Sequence, residues 1–460
     1  MAEPIDHVAR FESVPAPGSF LPGQVLRDLG DALVLRLASP ADADAIRGFN
    51  RVVHADPPDF DPIEGLGHWG HDLASGRHPS VAPEDFWLVE DTLRGRLASS
   101  LGLIGHRMEY DGIAFDAGQV ELVGTHPDYR ERGLVRLQME ALHASSRERG
   151  QRLQWISGIP YYYRKFGYDM ALETDGAAVV ARSSLPDAVA SDPLQWRLAT
   201  PDDAETIREL AHANSRRSRL SCDVPAHFWR YALATQHPDS LGRRIIHLGH
   251  DSGGAPAAVV MTAPLLHGGG LLVRAVEIGP EQSWPELSSS LLARIRASGD
   301  ALAEEASPFT VARLQLGSAH PLYGVESARL RDRRRPYALF VRIEDLAGFL
   351  RLITPVLEER LARSDQARRS GALELNFYST GLRLHLEHGK LRDIEAWQPT
   401  TEDFGHHCFP DNTFLQLLLG YRSLAELQHA FADCLPRSEA HVPWLEALLP
   451  PAPSHLIPVT

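Results

Sequence analysis

One stretch of this chain occurs twice. Leu35-Arg36-Leu37-Ala38-Ser39-Pro40-Ala41-Asp42-Ala43-Asp44-Ala45-Ile46-Arg47 is matched by Trp196-Arg197-Leu198-Ala199-Thr200-Pro201-Asp202-Asp203-Ala204-Glu205-Thr206-Ile207-Arg208. The offset is a constant 161 residues, from Pro40 to Pro201 and from Ile46 to Ile207. Each copy reads as a strand followed by a helix. Ser39 and Thr200 are cap residues, and proline stands at the first helical position, where its missing N–H costs nothing. Early acids and an apolar face complete both helix starts. A period this long marks a duplicated domain, not a solenoid unit. With 460 residues the chain also exceeds one compact core, and two to four domains are expected.

Composition removes several function classes. The apolar fraction of 43% and charged fraction of 23% are those of ordinary globular proteins. No apolar run is long enough to span a bilayer. The segment from Met1 to Phe20 is polar, carries prolines and lacks an apolar signal-peptide core, so a cytoplasmic location is expected. Cys222, Cys408 and Cys434 are too few and too scattered for a disulfide framework. A formal charge of −14 argues against nucleic-acid binding and suits a cationic substrate. His68, His71 and His78, and separately His406-His407-Cys408, lack a partner set at metal-ligand spacing, so no metal is expected. The basic run Arg329 to Arg335 reads as a solvated turn before a strand at Tyr337 to Ile343.

The segment Val120 to Arg136 carries the chemistry. Val120-Glu121-Leu122-Val123-Gly124-Thr125 reads as a strand, His126 to Gly133 as a short basic loop, and Leu134 onward as a helix closing at Arg149-Gly150. Gln138, Met139, Leu142 and His143 keep helical spacing. The first N–H groups of a helix lack internal partners and sit at the positive end of its dipole, so a pyrophosphate fits there. Arg130, Arg132 and Arg136 add positive charge at the same point. Pro127 cannot donate to a ladder, so strand pairing is expected to fail near it and to free backbone groups of Val123 and Thr125. A second segment follows one helix and one apolar strand later (Leu153 to Ile156): Gly158-Ile159-Pro160-Tyr161-Tyr162-Tyr163-Arg164-Lys165-Phe166-Gly167-Tyr168.

The loop Arg130-x-x-Gly133 between strand and helix resembles motif A of the GNAT N-acetyltransferase superfamily, and Tyr163-x-x-x-Gly167-Tyr168 resembles its Tyr-x-x-x-Gly-Phe signature. Val135 departs from the motif, which has Gly or Ala there. GNAT domains also begin with a strand and helix like the duplicated segment. The resemblance implies acetyl-CoA as co-substrate and Tyr163 as the general acid that protonates the leaving thiolate. In the second copy Leu271 to Ile278 leads into Gly279-Pro280-Glu281-Gln282-Ser283-Trp284-Pro285-Glu286, where glutamates and prolines replace the arginines and loop glycine. That copy is expected not to bind acetyl-CoA.

After about Leu346 the pattern changes. A helix is expected over Leu346 to Arg363, strands at Leu373 to Phe377 and Leu382 to Leu386, and helices at Asn412 to Leu419, Ser423 to Ala430 and His441 to Leu449. The order and the phrase Phe414 to Ser423 resemble a sterol-carrier-like module. Together these parts resemble the Eis (enhanced intracellular survival) group of acetyltransferases.

That resemblance implies an α+β chain of tandem GNAT folds with mixed central sheets. Its divisions would be 30–190 (catalytic), 195–345 (degenerate) and 346–460 (sterol-carrier-like). Acetyl-CoA contacts would fall on Val123, Gly124, Thr125, Arg130, Glu131, Arg132, Gly133, Leu134, Val135, Arg136, Gly158 and Ile159. The general base would be the terminal carboxylate of Thr460. The acceptor would be a small-molecule primary amine, a cationic multi-amine by the resemblance, and the assembly a homo-oligomer, hexameric in that family. The competing expectation is a catalytically silent frame that binds an apolar ligand through its C-terminal part.

Overall fold

The computed structural model describes residues 21–55, 61–187, 191–305, 307–330 and 332–456. Thr460 lies outside the described residues. Both copies of the duplicated segment start their helices in the same way. Ser39 Oγ and backbone N–H both donate to the Asp42 carboxylate (2.9 and 2.7 Å), and Thr200 does the same to Asp203 (2.9 and 2.7 Å). Arg36 pairs with Asp42 and Arg197 with Asp203 (2.7 and 2.6 Å). The helices Ala43–Val53 and Ala204–His212 then bury Ile46 and Phe49, and Ile207 and Leu210.

Three sheets form among the described residues. The first has nine strands, in the order Val25–Gly30, Leu33–Leu37, Phe86–Asp91, Arg96–Tyr110, Ile113–Thr125, Leu153–Ile156, Tyr337–Arg342 and Asp169–Thr174, with Leu220–Cys222 added along Arg96–Tyr110. The second runs Arg333–Arg334, Ala177–Ala181, Val311–Leu314, Gly270–Ile278, Pro256–Thr262, Ile245–His250 and Gln195–Leu198. Both are mixed: Ile113–Thr125 pairs parallel with Leu153–Ile156, and Gly270–Ile278 parallel with Val311–Leu314. The third is smaller, with Lys390–Trp397, Gly381–Glu387, Gly371–Asn376 and His407–Cys408.

The first two sheets exchange strands. Tyr337–Arg342 enters the first sheet between Leu153–Ile156 and Asp169–Thr174. Ala177–Ala181 enters the second between Val311–Leu314 and Arg333–Arg334. Each copy therefore completes the other's sheet at the same place. Part of the run Arg329 to Arg335, read from sequence as a turn, supplies a short strand: Arg333 pairs with Ala178 and Arg334 with Ala177.

The C-terminal region differs from the sequence expectation in two details. The helix expected over Leu346 to Arg363 is two, Leu346–Leu352 and Thr354–Ala362, because Pro355 cannot continue the first and starts the second. A third strand, Lys390–Trp397, follows the expected pair. Its helices share a core with the far ends of the first sheet: Phe349 stacks edge-on against Tyr110 and Phe115. The three cysteines are free and buried.

Phe340 sits on the exchanged strand, is fully buried and packs on Tyr163 at 5.6 Å between ring centroids. Phe340→Ala is expected to destabilise the protein by about 3–5 kcal/mol. Thermal unfolding followed by far-UV circular dichroism checks this, and an unchanged midpoint would mean the exchanged strand is not integral to the first sheet.

Candidate active site

The site begins where two strands part. Ile113–Thr125 pairs with Leu153–Ile156 only through Ala117, Gly118 and Gln119. Past Gln119 its outer edge has no strand partner among the described residues, while the other edge stays paired with Arg96–Tyr110 as far as Thr125. The opening thus starts well before Pro127, where the sequence placed it. Its cause is a β-bulge. Ser100 faces Gly124 and Gly102 faces Glu121, so Leu122 and Val123 together oppose Leu101. Leu122 takes a left-handed backbone (φ 53°) and buries its side chain. A bulge bends and twists its strand, which carries this one away from its parallel neighbour.

The loop then presents a helix end. Pro127–Tyr129 form one 3-10 turn, Gly133 caps Leu134–Glu148 with φ 74°, and no side chain caps the helix. The left-handed conformation at Gly133 is one that a β-carbon disfavours. Leu134 is buried, while Val135 packs at the edge of the core, which accommodates its departure from the motif. Glu131 also has positive φ (63°) and is exposed. Of the arginines, Arg132 pairs with Asp31 (3.0 Å), Arg136 lies over the Phe166 ring, and Arg130 is exposed. Gly124 has a packing role: a β-carbon there would come within 2.7 Å of Val53 on the first helix.

The three tyrosines separate cleanly. Tyr161 is 68% exposed, Tyr162 is half-buried, and Tyr163 is 5% exposed. The Tyr163 ring lies directly over Gly158, where a β-carbon would fall 2.1 Å from ring carbon Cε2. Gly158 is therefore the floor on which Tyr163 rests, and Ile159 beside it is exposed. Burial, and then the nearby Glu121, push the Tyr163 hydroxyl well above the usual tyrosine range. It stays neutral and able to donate.

Tyr163 lines a cavity of about 320 Å³ with Glu121, Val123, Trp69, Glu173 and Asp175 among others. The sequence reading passed over Glu121. Burial pushes its carboxyl up to about 7, against hydrogen bonds from Gln119 and the Leu122 N–H that favour the anion. The signal was present: Gln119 and Glu121 alternate on one strand, so both face the same side. His455 and Leu456 line the same cavity. The tail reaches it docked: Arg219 N–H donates to Pro453 O (2.8 Å), Arg219 Nη1 to Pro450 O (2.6 Å), and Leu220 N–H to Ser454 Oγ (3.2 Å).

The second copy parts its strands too, after Val273 and Leu314. There the gap is filled from within. His320 Nε2 donates to Val276 O (2.9 Å), Tyr323 Oη donates to Leu314 O (2.5 Å), and buried Glu277 pairs with Arg217. Its helix Trp284–Ala301 opens with Trp284 and Pro285, so one of its leading N–H groups is absent.

His68, His237 and Asp239 offer side-chain atoms within 4.8 Å of one another. The two imidazoles stack at 3.6 Å and 9°, so their in-plane lone pairs run parallel and do not converge on one point.

Residues 36–171 match the family described as Acetyltransferase (GNAT) domain. No curated protein matches the sequence. Among solved structures, a probable N-acyltransferase from Enterococcus faecalis V583 is 13% identical with TM-score 0.66, over 92% of this chain and 98% of that one. A GCN5-related N-acetyltransferase from Kribbella flavida is 16% identical with TM-score 0.63, over 92% and 97%. Eis1 from Mycobacterium abscessus is 13% identical with TM-score 0.60, over 92% and 99%. The protein is an acyltransferase. Its co-substrate is acetyl-CoA, and the open strand edge with the uncapped helix end beside it is an arrangement that can hold a pantetheine arm and a pyrophosphate. No helix of the described residues is long and apolar enough to cross a membrane.

Gly133→Glu sets a carboxylate at the helix end and forces a side chain into positive φ. Calorimetry should register one acetyl-CoA per wild-type chain and none for the variant. Wild-type affinity in the variant would remove the loop from the binding site.

Proposed function

We propose that this acyltransferase moves the acetyl group of acetyl-CoA to a primary amine, with Glu121 as general base and Tyr163 as general acid. The observation that carries this reading is that a buried, neutral tyrosine and a carboxylate held near neutrality line one cavity at the open strand edge. Val123, Gly124 and Thr125 would face the pantetheine arm. The leading N–H groups from Gly133 through Arg136, with Arg130 and Arg132 nearby, would face the pyrophosphate. The thioester supplies an activated acetyl carbon. Glu121 takes a proton from the amine nitrogen, and Tyr163 gives one to the departing sulfur. Holding amine and thioester together supplies much of the rate.

The acceptor would be cationic. Three carboxylates, Glu121, Glu173 and Asp175, share the cavity with the apolar Leu66, Trp69 and Leu339. A multi-amine with a short carbon skeleton matches both sets. The second copy, with its gap filled, would serve as scaffold. The division at 30–190, 195–345 and 346–460, the sterol-carrier likeness of the last part and assembly as a homo-oligomer belong to the same reading.

A second reading makes the Thr460 carboxylate the base, and the docked tail favours it. Leu456 lines the cavity, and four further residues of extended chain span at most ~14 Å. Two variants separate the readings. If Glu121 is the base, kcat/KM falls as pH drops below about 7, since the base must be deprotonated. Glu121→Gln then loses that limb with most of the activity, and a short tag after Thr460 changes little. An inactive tagged protein beside an active Glu121→Gln would assign the base to Thr460.

Tyr163→Phe keeps the ring on Gly158 and removes the donor. It should lower kcat by roughly 100- to 10,000-fold with acetyl-CoA affinity retained. Full activity in this variant, with an acceptor the wild type acetylates, would show that sulfur is protonated from elsewhere.

A further inference from the structure

We propose that His106 and Gln119 are a positioning pair that orients the Glu121 carboxylate and favours its ionised form. This rests on the reading of Glu121 as general base, which has its own kinetic test above. Gln119 and His106 lie on neighbouring strands, one step apart diagonally: His106 faces Ala117 and Ile104 faces Gln119 across the ladder. Gln119 is fully buried. Its Nε2 donates to Glu121 Oε1 at 2.6 Å, and its Oε1 lies 2.8 Å from His106 Nε2.

An amide side chain has a donor end and an acceptor end, and it serves Glu121 only with the donor end forward. The reversed amide would set a carbonyl oxygen against a carboxylate oxygen, two acceptors with no proton between them. What decides the orientation is the group at the other end. His106 is neutral, since burial pushes it down to about 4. A neutral imidazole carries one ring proton. With that proton on Nε2, His106 requires an oxygen opposite it. The chain His106 Nε2–H to Gln119 Oε1, and Gln119 Nε2–H to Glu121 Oε1, then gives every donor an acceptor. A protonated Glu121 gains less from a donor at Oε1 than the anion does, so the pair favours the carboxylate.

This arrangement acts against burial, which alone would keep Glu121 protonated further up the pH scale. The other charged or titratable groups around it are Tyr163 on the 3-10 turn, Glu173 and Asp175 at the end of Asp169–Thr174, His54 after the first helix, and His455 on the tail. Glu173 and Asp175 line the same cavity and place no donor on Glu121. His54 and His455 are held below the usual histidine range by burial and offer no full positive charge near neutrality. Among the described residues, Gln119 is thus the side chain positioned to favour the anion directly, and His106 holds it there.

The experiment titrates Glu121 directly and needs no acceptor. The full chain is labelled with glutamate enriched in ¹³C at the side-chain carboxyl, and the Glu121 resonance is assigned by its loss in Glu121→Gln. Gln119→Leu keeps the bulk and removes the donor, and should raise the Glu121 midpoint by about one pH unit. His106→Phe should raise it as well, because the amide is then free to reverse. His106→Gln retains an N–H and should return the midpoint towards wild type. Acetyl-CoA affinity by calorimetry monitors folding of each variant. A Glu121 midpoint unmoved in folded Gln119→Leu, or equal in His106→Phe and His106→Gln, would overturn the pair. A midpoint that moves as stated while Glu121→Gln remains active would leave the pair in place and remove Glu121 as the base.

Discussion

The parting of two parallel strands governs this molecule. A buried backbone group without a partner costs roughly 1–3 kcal/mol, so a gap in the middle of a sheet is not neutral. Something must fill it. In the first copy the gap follows Gln119 and Trp155 and opens onto a cavity. In the second it follows Val273 and Leu314 and is closed by His320, which donates to the buried carbonyl of Val276. Both copies carry the break, and in the second the buried Glu277 carboxylate pairs with Arg217.

The reciprocal strand exchange makes the second copy part of the first copy's sheet. Tyr337–Arg342 is the strand against which Leu153–Ile156 packs on the side away from the gap. Phe340 on that strand supports Tyr163, and Tyr337 Oη reaches Gly158 O at 3.4 Å. One wall around Tyr163, and a contact to the Gly158 floor, are therefore made by residues that the chain delivers some 180 positions later. The cavity is composite in the same sense, because Leu241 and His455 line it together with residues of the first copy. Loss of the second copy would remove part of the first sheet before it removed any separate activity.

What could be read from sequence was local. The two helix starts were visible because Ser39, Pro40 and Asp42, or Thr200, Pro201 and Asp203, make their contacts within four residues. The strand–loop–helix order around Gly133 was visible because its parts are contiguous. Where the reading depended on long range, it shifted or failed. Pro127 is a local breaker, but the opening is made by a bulge at Leu122, which depends on register with Leu101. The strand exchange joins segments far apart in sequence, and neither strand carries a mark of its destination. Pro355 was in plain sight and splits a helix that apolar spacing alone made continuous. Glu121 stands in the strand with nothing local to mark it. Its importance comes from the cavity it faces, and a cavity has no linear signature.

The two proposed proton-transfer groups raise a question of compatibility, because burial acts on both in the same direction. It lifts the Glu121 carboxyl and the Tyr163 hydroxyl alike, and Glu121 adds to the rise of Tyr163, since an anionic Glu121 disfavours a tyrosinate. For the base this rise is useful; for the acid it keeps the hydroxyl protonated at rest while making it a weaker donor. A carboxylate at its ordinary value near 4 is a weak acceptor for the proton of an alkylammonium, whose value is near ~10. A carboxylate lifted to about 7 narrows that gap by more than two powers of ten while remaining largely ionised in mildly alkaline water. The tyrosine, lifted further, cannot lose its proton to the neighbouring carboxylate before a thiolate forms to accept it. The working state, Glu121 anionic and Tyr163 neutral, is then the ground state over the whole interval between the two. Burial alone would carry Glu121 higher, and the hydrogen bonds from Gln119 and the Leu122 N–H lower that edge of the interval.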